Sequence, residues 1–143
     1  MSARLAVVAA LLATRLATAG DLAGPELTSG GLPGAGSLAA VGQYGTTNTM
    51  AIDQRGREHR LSASQRGRQN TATAAQDGVA NVVELQQNGN ANEATIVQGG
   101  TGNSALVDQR GNANSARIEQ HGNDASARVT QTGNGKRAIV IQH

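Results

Sequence analysis

Residues 98–120 read QGGTGNSALVDQRGNANSARIEQ, and the three glutamines of that stretch, Gln98, Gln109 and Gln120, stand eleven residues apart. The same spacing runs outward without a slip to Gln87, Gln76, Gln65, Gln54 and Gln43 on one side and to Gln131 and Gln142 on the other. Two residues after each of the first nine glutamines comes a glycine: Gly45, Gly56, Gly67, Gly78, Gly89, Gly100, Gly111, Gly122 and Gly133. Five residues after the glutamine stands Asn48, His59, Asn70, Asn81, Asn92, Asn103, Asn114, Ala125 or Lys136. A period kept this strictly predicts a stacked repeat architecture.

With the glutamine as offset zero, offset seven is always apolar: Met50, Leu61, Ala72, Val83, Ala94, Ala105, Ala116, Ala127 and Ala138. Offset nine is apolar too: Ile52, Ala63, Ala74, Leu85, Ile96, Val107, Ile118, Val129 and Val140. The offsets between them carry Thr, Ser, Arg, Glu and Asp in mixed order. This is the two-residue period of a half-buried strand. The glycine lies among small and polar residues such as Asn112-Ala113 and Asn123-Asp124, which predicts a tight turn there. Each unit is therefore expected to be a strand of about six residues plus a turn. An eleven-residue period can also be helical, but a glycine in every unit would cost about 1 kcal/mol each in a helix interior.

A turn in every unit reverses the chain, so alternate units stack on one another. The expected fold is an all-β solenoid of five 22-residue coils, 37–58, 59–80, 81–102, 103–124 and 125–143, forming two stacked parallel sheets of cross-β amyloid type. Leu32 to Gly42, with Gly34, Ser37, Ala39 and Val41 at the equivalent offsets, completes the first coil. Coils would rise by roughly 4.7–4.8 Å each. The ten glutamines, together with Asn48, Asn70, Asn81, Asn92, Asn103 and Asn114, are the candidate functional residues, an inward ladder of stacked amides. A buried amide left unpaired costs about 1–3 kcal/mol, and a one-residue slip would bury Arg and Glu while exposing Ala and Val. Charges fit this stacking: Arg55 falls over Asp77, and no like charges adjoin in one outward column.

The composition agrees. The 143 residues include no Trp, Phe or Cys, one Tyr (Tyr44) and 19 Gly, which excludes a core of large side chains and any disulfide. The 12 Lys+Arg exceed the 10 Asp+Glu only through Arg4 and Arg15, both in the N-terminal segment. With aromatic side chains nearly absent as well, a single-strand nucleic-acid binder is not indicated.

Met1-Ser2-Ala3-Arg4, the apolar run Leu5 to Ala13 and the small-x-small triplet Ala17-Thr18-Ala19 read as a secretory signal peptide over residues 1–19. The apolar run is far short of the roughly 20 residues that span a bilayer, so no membrane span is expected. Residues 20–36, with both prolines, read as a flexible leader.

The pattern S-x5-Q-x-G-x2-N-x-A-x3-Q resembles the 22-residue repeat of the curlin subunits of bacterial curli fibres. Ser37 to Gly45 through Asn48 to Gln54 resembles the opening repeat of such a subunit, and Gln98-Gly99-Gly100 to Asn103 and Gln109-Arg110-Gly111 to Asn114-Ser115-Ala116 match as well. The resemblance implies a secreted functional amyloid, exported unfolded through an outer-membrane curli secretion channel and polymerised at the surface of a Gram-negative cell for adhesion and biofilm. It also implies a second curli subunit as partner. Arg128, Lys136 and Arg137 resemble the minor, nucleating subunit, whereas Gln43-Tyr44-Gly45 resembles the major one. The leader is shorter than the major subunit's, and His59, Ala125 and Lys136 depart from the ladder Asn or Ser, which predicts weaker locking of coils two and five.

Polymerisation also follows from the expected geometry, because neither end resembles a cap and open strand edges recruit further strands. The last strand, Lys136 to Gln142, is the strongest aggregation-prone window. Arg55, Arg57, Arg60, Arg66 and Arg68 read as gatekeepers against premature assembly, with a polyanion-binding patch as the alternative. A monomeric ice-binding solenoid would need an array of Thr pairs, and only Thr71 and Thr73 make one. The acids are scattered over different offsets, and His59, His121 and His143 share no consistent offset within five units. Neither an enzyme nor a metal or cofactor site is expected.

Overall fold

The computed structural model describes residues 36–143 together with the backbone of Arg4–Val7 and Arg15–Ala19. Every element among the described residues is a strand: β1 (Arg4–Val7), β2 (Arg15–Ala19), β3 (Leu38–Thr46), β4 (Thr49–Arg57), β5 (Arg60–Arg68), β6 (Thr71–Val79), β7 (Val82–Asn90), β8 (Glu93–Thr101), β9 (Ser104–Asn112), β10 (Ser115–Asn123), β11 (Ser126–Thr132) and β12 (Arg137–Gln142). They form two six-stranded sheets, β1-β3-β5-β7-β9-β11 and β12-β10-β8-β6-β4-β2. From β3 onward every pairing is parallel and steps by 22 residues, as in Gln43↔Gln65 and Gln54↔Gln76. Ten strands thus make a β-solenoid of five coils.

The alternating sequence produces this because each strand can bury only one face. Met50 and Ile52 point inward from β4, Val83 and Leu85 from β7, and Ile96 and Ile118 from β8 and β10, all buried. Eight of the eighteen buried hydrophobic positions among the described residues are alanine, which lets the two sheets approach closely without aromatic filler.

Two features differ from the expectation. The strands are mostly nine residues long rather than about six, because the coil-to-coil backbone pairing continues past the glutamine through the glycine, as in Gly45↔Gly67. The tight reversal consequently falls two residues later, at offset four, where Thr47, Glu58, Gln69, Ala80, Ala91, Ala113 and Asp124 adopt φ of 54–62°. The expected open edge at the N-terminal end is also occupied. β1 lies antiparallel on β3 and β2 antiparallel on β4, since an exposed edge accepts any extended backbone. The proposed signal peptide otherwise, and the leader apart from Gly36, lie outside the described residues.

Candidate functional site

Inward-facing amides form two glutamine columns, one per sheet. In the first, Gln43 Nε2 donates to Gln65 Oε1 at 2.6 Å, Gln65 to Gln87 at 2.8 Å, Gln87 to Gln109 at 2.9 Å and Gln109 to Gln131 at 2.8 Å. In the second, Gln54, Gln76, Gln98, Gln120 and Gln142 are joined in the same direction at 2.8–3.0 Å. The other amide proton crosses to the facing sheet: Gln65 Nε2 donates to the Thr49 carbonyl and Gln98 Nε2 to the Val82 carbonyl, both at 3.1 Å. Each such glutamine ties two coils and two sheets together while buried.

The asparagines form columns near the chain reversals and engage the glycines. Asn70 Oδ1 accepts from the backbone N–H of Asn92, while Asn70 Nδ2 donates to the Arg66 carbonyl of its own coil and to the Gly89 carbonyl of the next. Asn48, Asn81, Asn92, Asn103 and Asn114 make the equivalent bond to Gly67, Gly100, Gly111, Gly122 and Gly133 at 2.8–3.1 Å. The glycine is required there twice over. Gly89 has φ 127°, and a Cβ on it would overlap the Gly111 carbonyl oxygen. Gly45, Gly56, Gly67, Gly78 and Gly100 face the same overlap with the glycine one coil on.

The three departures from the asparagine column behave differently from one another. His59 is fully buried and holds its rung: Nδ1 accepts from the Asn81 N–H at 3.3 Å and Nε2 donates to the Arg55 carbonyl at 2.8 Å. It mimics both an amide oxygen and an amide N–H, so coil two is better locked than expected, short only of the bond to the next glycine. Ala125 and Lys136 accept the lock from the coil before, their N–H groups donating to Asn103 Oδ1 and Asn114 Oδ1, but offer no side-chain acceptor onward.

At the ends the glutamine columns stop with opposite polarity. Gln43 Oε1 and Gln54 Oε1 are the buried side-chain atoms without a hydrogen-bond partner among the described residues. Gln131 and Gln142 each donate one amide proton across the solenoid, to the Ser115 and Ser126 carbonyls. The second proton of each, which in every earlier coil reaches the next glutamine, meets no further glutamine among the described residues. Ile139 and Ile141 on β12 are half exposed.

Outside the solenoid, ion pairs form along strands rather than between coils. Arg55 is in register with Asp77, yet its guanidinium pairs with Asp53 on its own strand at 2.7 Å. Two residues apart on one face of a strand is within a guanidinium's reach, and Arg110–Asp108 and Arg117–Glu119 repeat the arrangement. Arg66 instead lies over the Tyr44 ring, 5.4 Å from its centroid. Against the expectation that the histidines share no offset, His121 and His143 each follow a column glutamine directly, and they stack with ring centroids 5.8 Å apart. No group of three or more metal-ligating side chains occurs among the described residues. One ladder escaped the sequence reading: Asn90 N–H and Nδ2 donate to Asn112 Oδ1, and Asn112 N–H to Asn134 Oδ1, along an exposed arc at offset three. Its signal was the recurrence of Asn at every second unit.

The curlin associated repeat matches residues 78–111, 100–133 and 111–143. No curated protein matches the chain.

Proposed function

Because its repeats mark this chain as a curlin-family protein, we propose that it is a structural subunit of an extracellular curli-type fibre, polymerising through the two ends of its solenoid. The observation that carries this is the pair of buried acceptors without partners, Gln43 Oε1 and Gln54 Oε1. A second copy stacked in phase sets its β11 on β3 and its β12 on β4. Its Gln131 and Gln142 then supply the two missing donors, continuing both columns through the junction at about 24 Å per copy. Antiparallel β1 and β2 occupy those edges in the full chain, so signal cleavage after Ala19 is the step that frees them.

In this reading the chain is exported through an outer-membrane curli channel and serves adhesion and biofilm as the fibre's bulk subunit. A nucleating role is the second reading, favoured by β12, where Ile139 and Ile141 stay exposed beside the Arg137 that opens the strand. Replacing both Gln43 and Gln54 with alanine tests the junction. Slower fibre elongation with an unchanged monomer fold supports it, and elongation at the native rate contradicts it.

A further inference from the structure

β10 pairs with β8 over nine residues, through Asn123↔Thr101, but with the terminal strand β12 over only six, ending at Gln120↔Gln142. One residue past that last pair the imidazoles of His121 and His143 stack, 9° from parallel with centroids 5.8 Å apart. Their spacing is set from inside the solenoid, where Gln120 Nε2 donates to Gln142 Oε1 at 2.8 Å and holds the two strands in register. The same outward column runs through Arg55, Asp77 and Gly99 to His121. Gly99 is not one of the glycines held at positive φ, so its backbone does not demand glycine. What it leaves is room. A Cβ there would lie 3.1 Å from His121 Nδ1, and a cavity of about 230 Å³ opens beside the ring, lined in part by Asp53, Arg55, Asp77 and Gly99. Arg55 is taken up by Asp53 and Arg117 by Glu119, whereas Asp77 has no ion pair among the described residues. The nearest charged side chain in the histidines' column is thus an uncompensated carboxylate.

We propose that His121 and His143 form a two-imidazole site for a divalent transition-metal ion of the copper, nickel or zinc class, which clips the terminal strand to the strand before it. Imidazole suits these ions, while magnesium and calcium take oxygen ligands. Both rings are exposed, so turning them brings one nitrogen of each to a common ion, and water fills the remaining positions. The in-register coils hold the two ligands side by side before the ion arrives, which cuts the ordering cost of binding. The ion ties β12 to β10 where their backbone pairing has already ended. The site lies within one chain and does not depend on the fibre reading.

The test titrates copper(II) into the untagged full chain and into His121→Asn, His143→Asn and His59→Asn. Electron paramagnetic resonance counts the nitrogen ligands, and urea unfolding reads the clip. The native chain and His59→Asn, whose altered residue is buried in the asparagine column, should bind one ion through two imidazole nitrogens. Copper at about a hundred times its dissociation constant should raise their folding equilibrium about a hundredfold. His121→Asn and His143→Asn should each lose one nitrogen and most of that shift. Because both side chains lie on the surface, these variants should unfold at the native midpoint without copper, which separates lost binding from lost fold. Two-nitrogen binding that persists in either surface variant, its loss in His59→Asn, or a native chain that copper does not stabilise overturns the proposal.

Discussion

Asn70 Nδ2 donates to the carbonyl oxygen of Gly89 at 2.8 Å, so the side chain of one coil fixes the backbone arc of the next. The two positions, amide and glycine, are therefore parts of one device, and breaking either should be felt by both. Gly89→Ala meets the Gly111 carbonyl and a φ of 127° together. It should destabilise the folded chain by at least about 2 kcal/mol, read as a lowered urea midpoint with unchanged slope.

The opposite sign is expected two residues further on. Thr47 holds φ 58° despite its β-branch, a conformation costing roughly 1–2 kcal/mol in an L-residue. Thr47→Gly should therefore stabilise the chain by about 1 kcal/mol, net of glycine's greater freedom when unfolded. Thermal melting distinguishes the two signs.

Gln87 joins Gln65, Gln109 and the Thr71 carbonyl at once. Gln87→Leu fills the same space but leaves buried donors and acceptors unpaired, at about 1–3 kcal/mol each. The expected loss is at least about 2 kcal/mol, larger than for Gln142→Leu, whose amide is less buried. Equal losses at the two positions would argue against the ladder as the source of stability.

Ala125 and Lys136 leave both asparagine columns without an onward acceptor at the last coil. In the proposed fibre a copy stacked there is held by strand pairing and the glutamine columns without an asparagine lock, which makes the junction its weakest coil interface. Lys136→Asn supplies an acceptor for the Asn48 N–H of the following copy. It should yield fibres that fragment less under shear and dissolve at higher denaturant, measured as seed number per unit mass.

The strands, their inward faces and the 22-residue register were legible because a period of two and a period of eleven together leave one stacking. The offset-four reversal was not, since Thr47, Glu58, Gln69, Ala80 and Asp124 share no chemistry. Their φ is imposed by backbone bonds between coils, such as Gln69 N–H to the Thr46 carbonyl at 3.0 Å. His59 looked like a gap in its column because residue type alone does not show that an imidazole can place an acceptor and a donor where an amide does. Arg55 shows the limit of register as a guide to ion pairs: Asp77 is its cross-strand neighbour, but Asp53 on the same strand is the carboxylate its side chain takes.

The central claim, stacking of copies into a continuous parallel solenoid, is tested most directly by X-ray diffraction from aligned material grown by residues 20–143. A meridional reflection near ~4.7 Å with an equatorial one near ~10 Å is the predicted result. A chain that folds into strands yet remains a monodisperse monomer at high concentration, giving no oriented pattern, would contradict it.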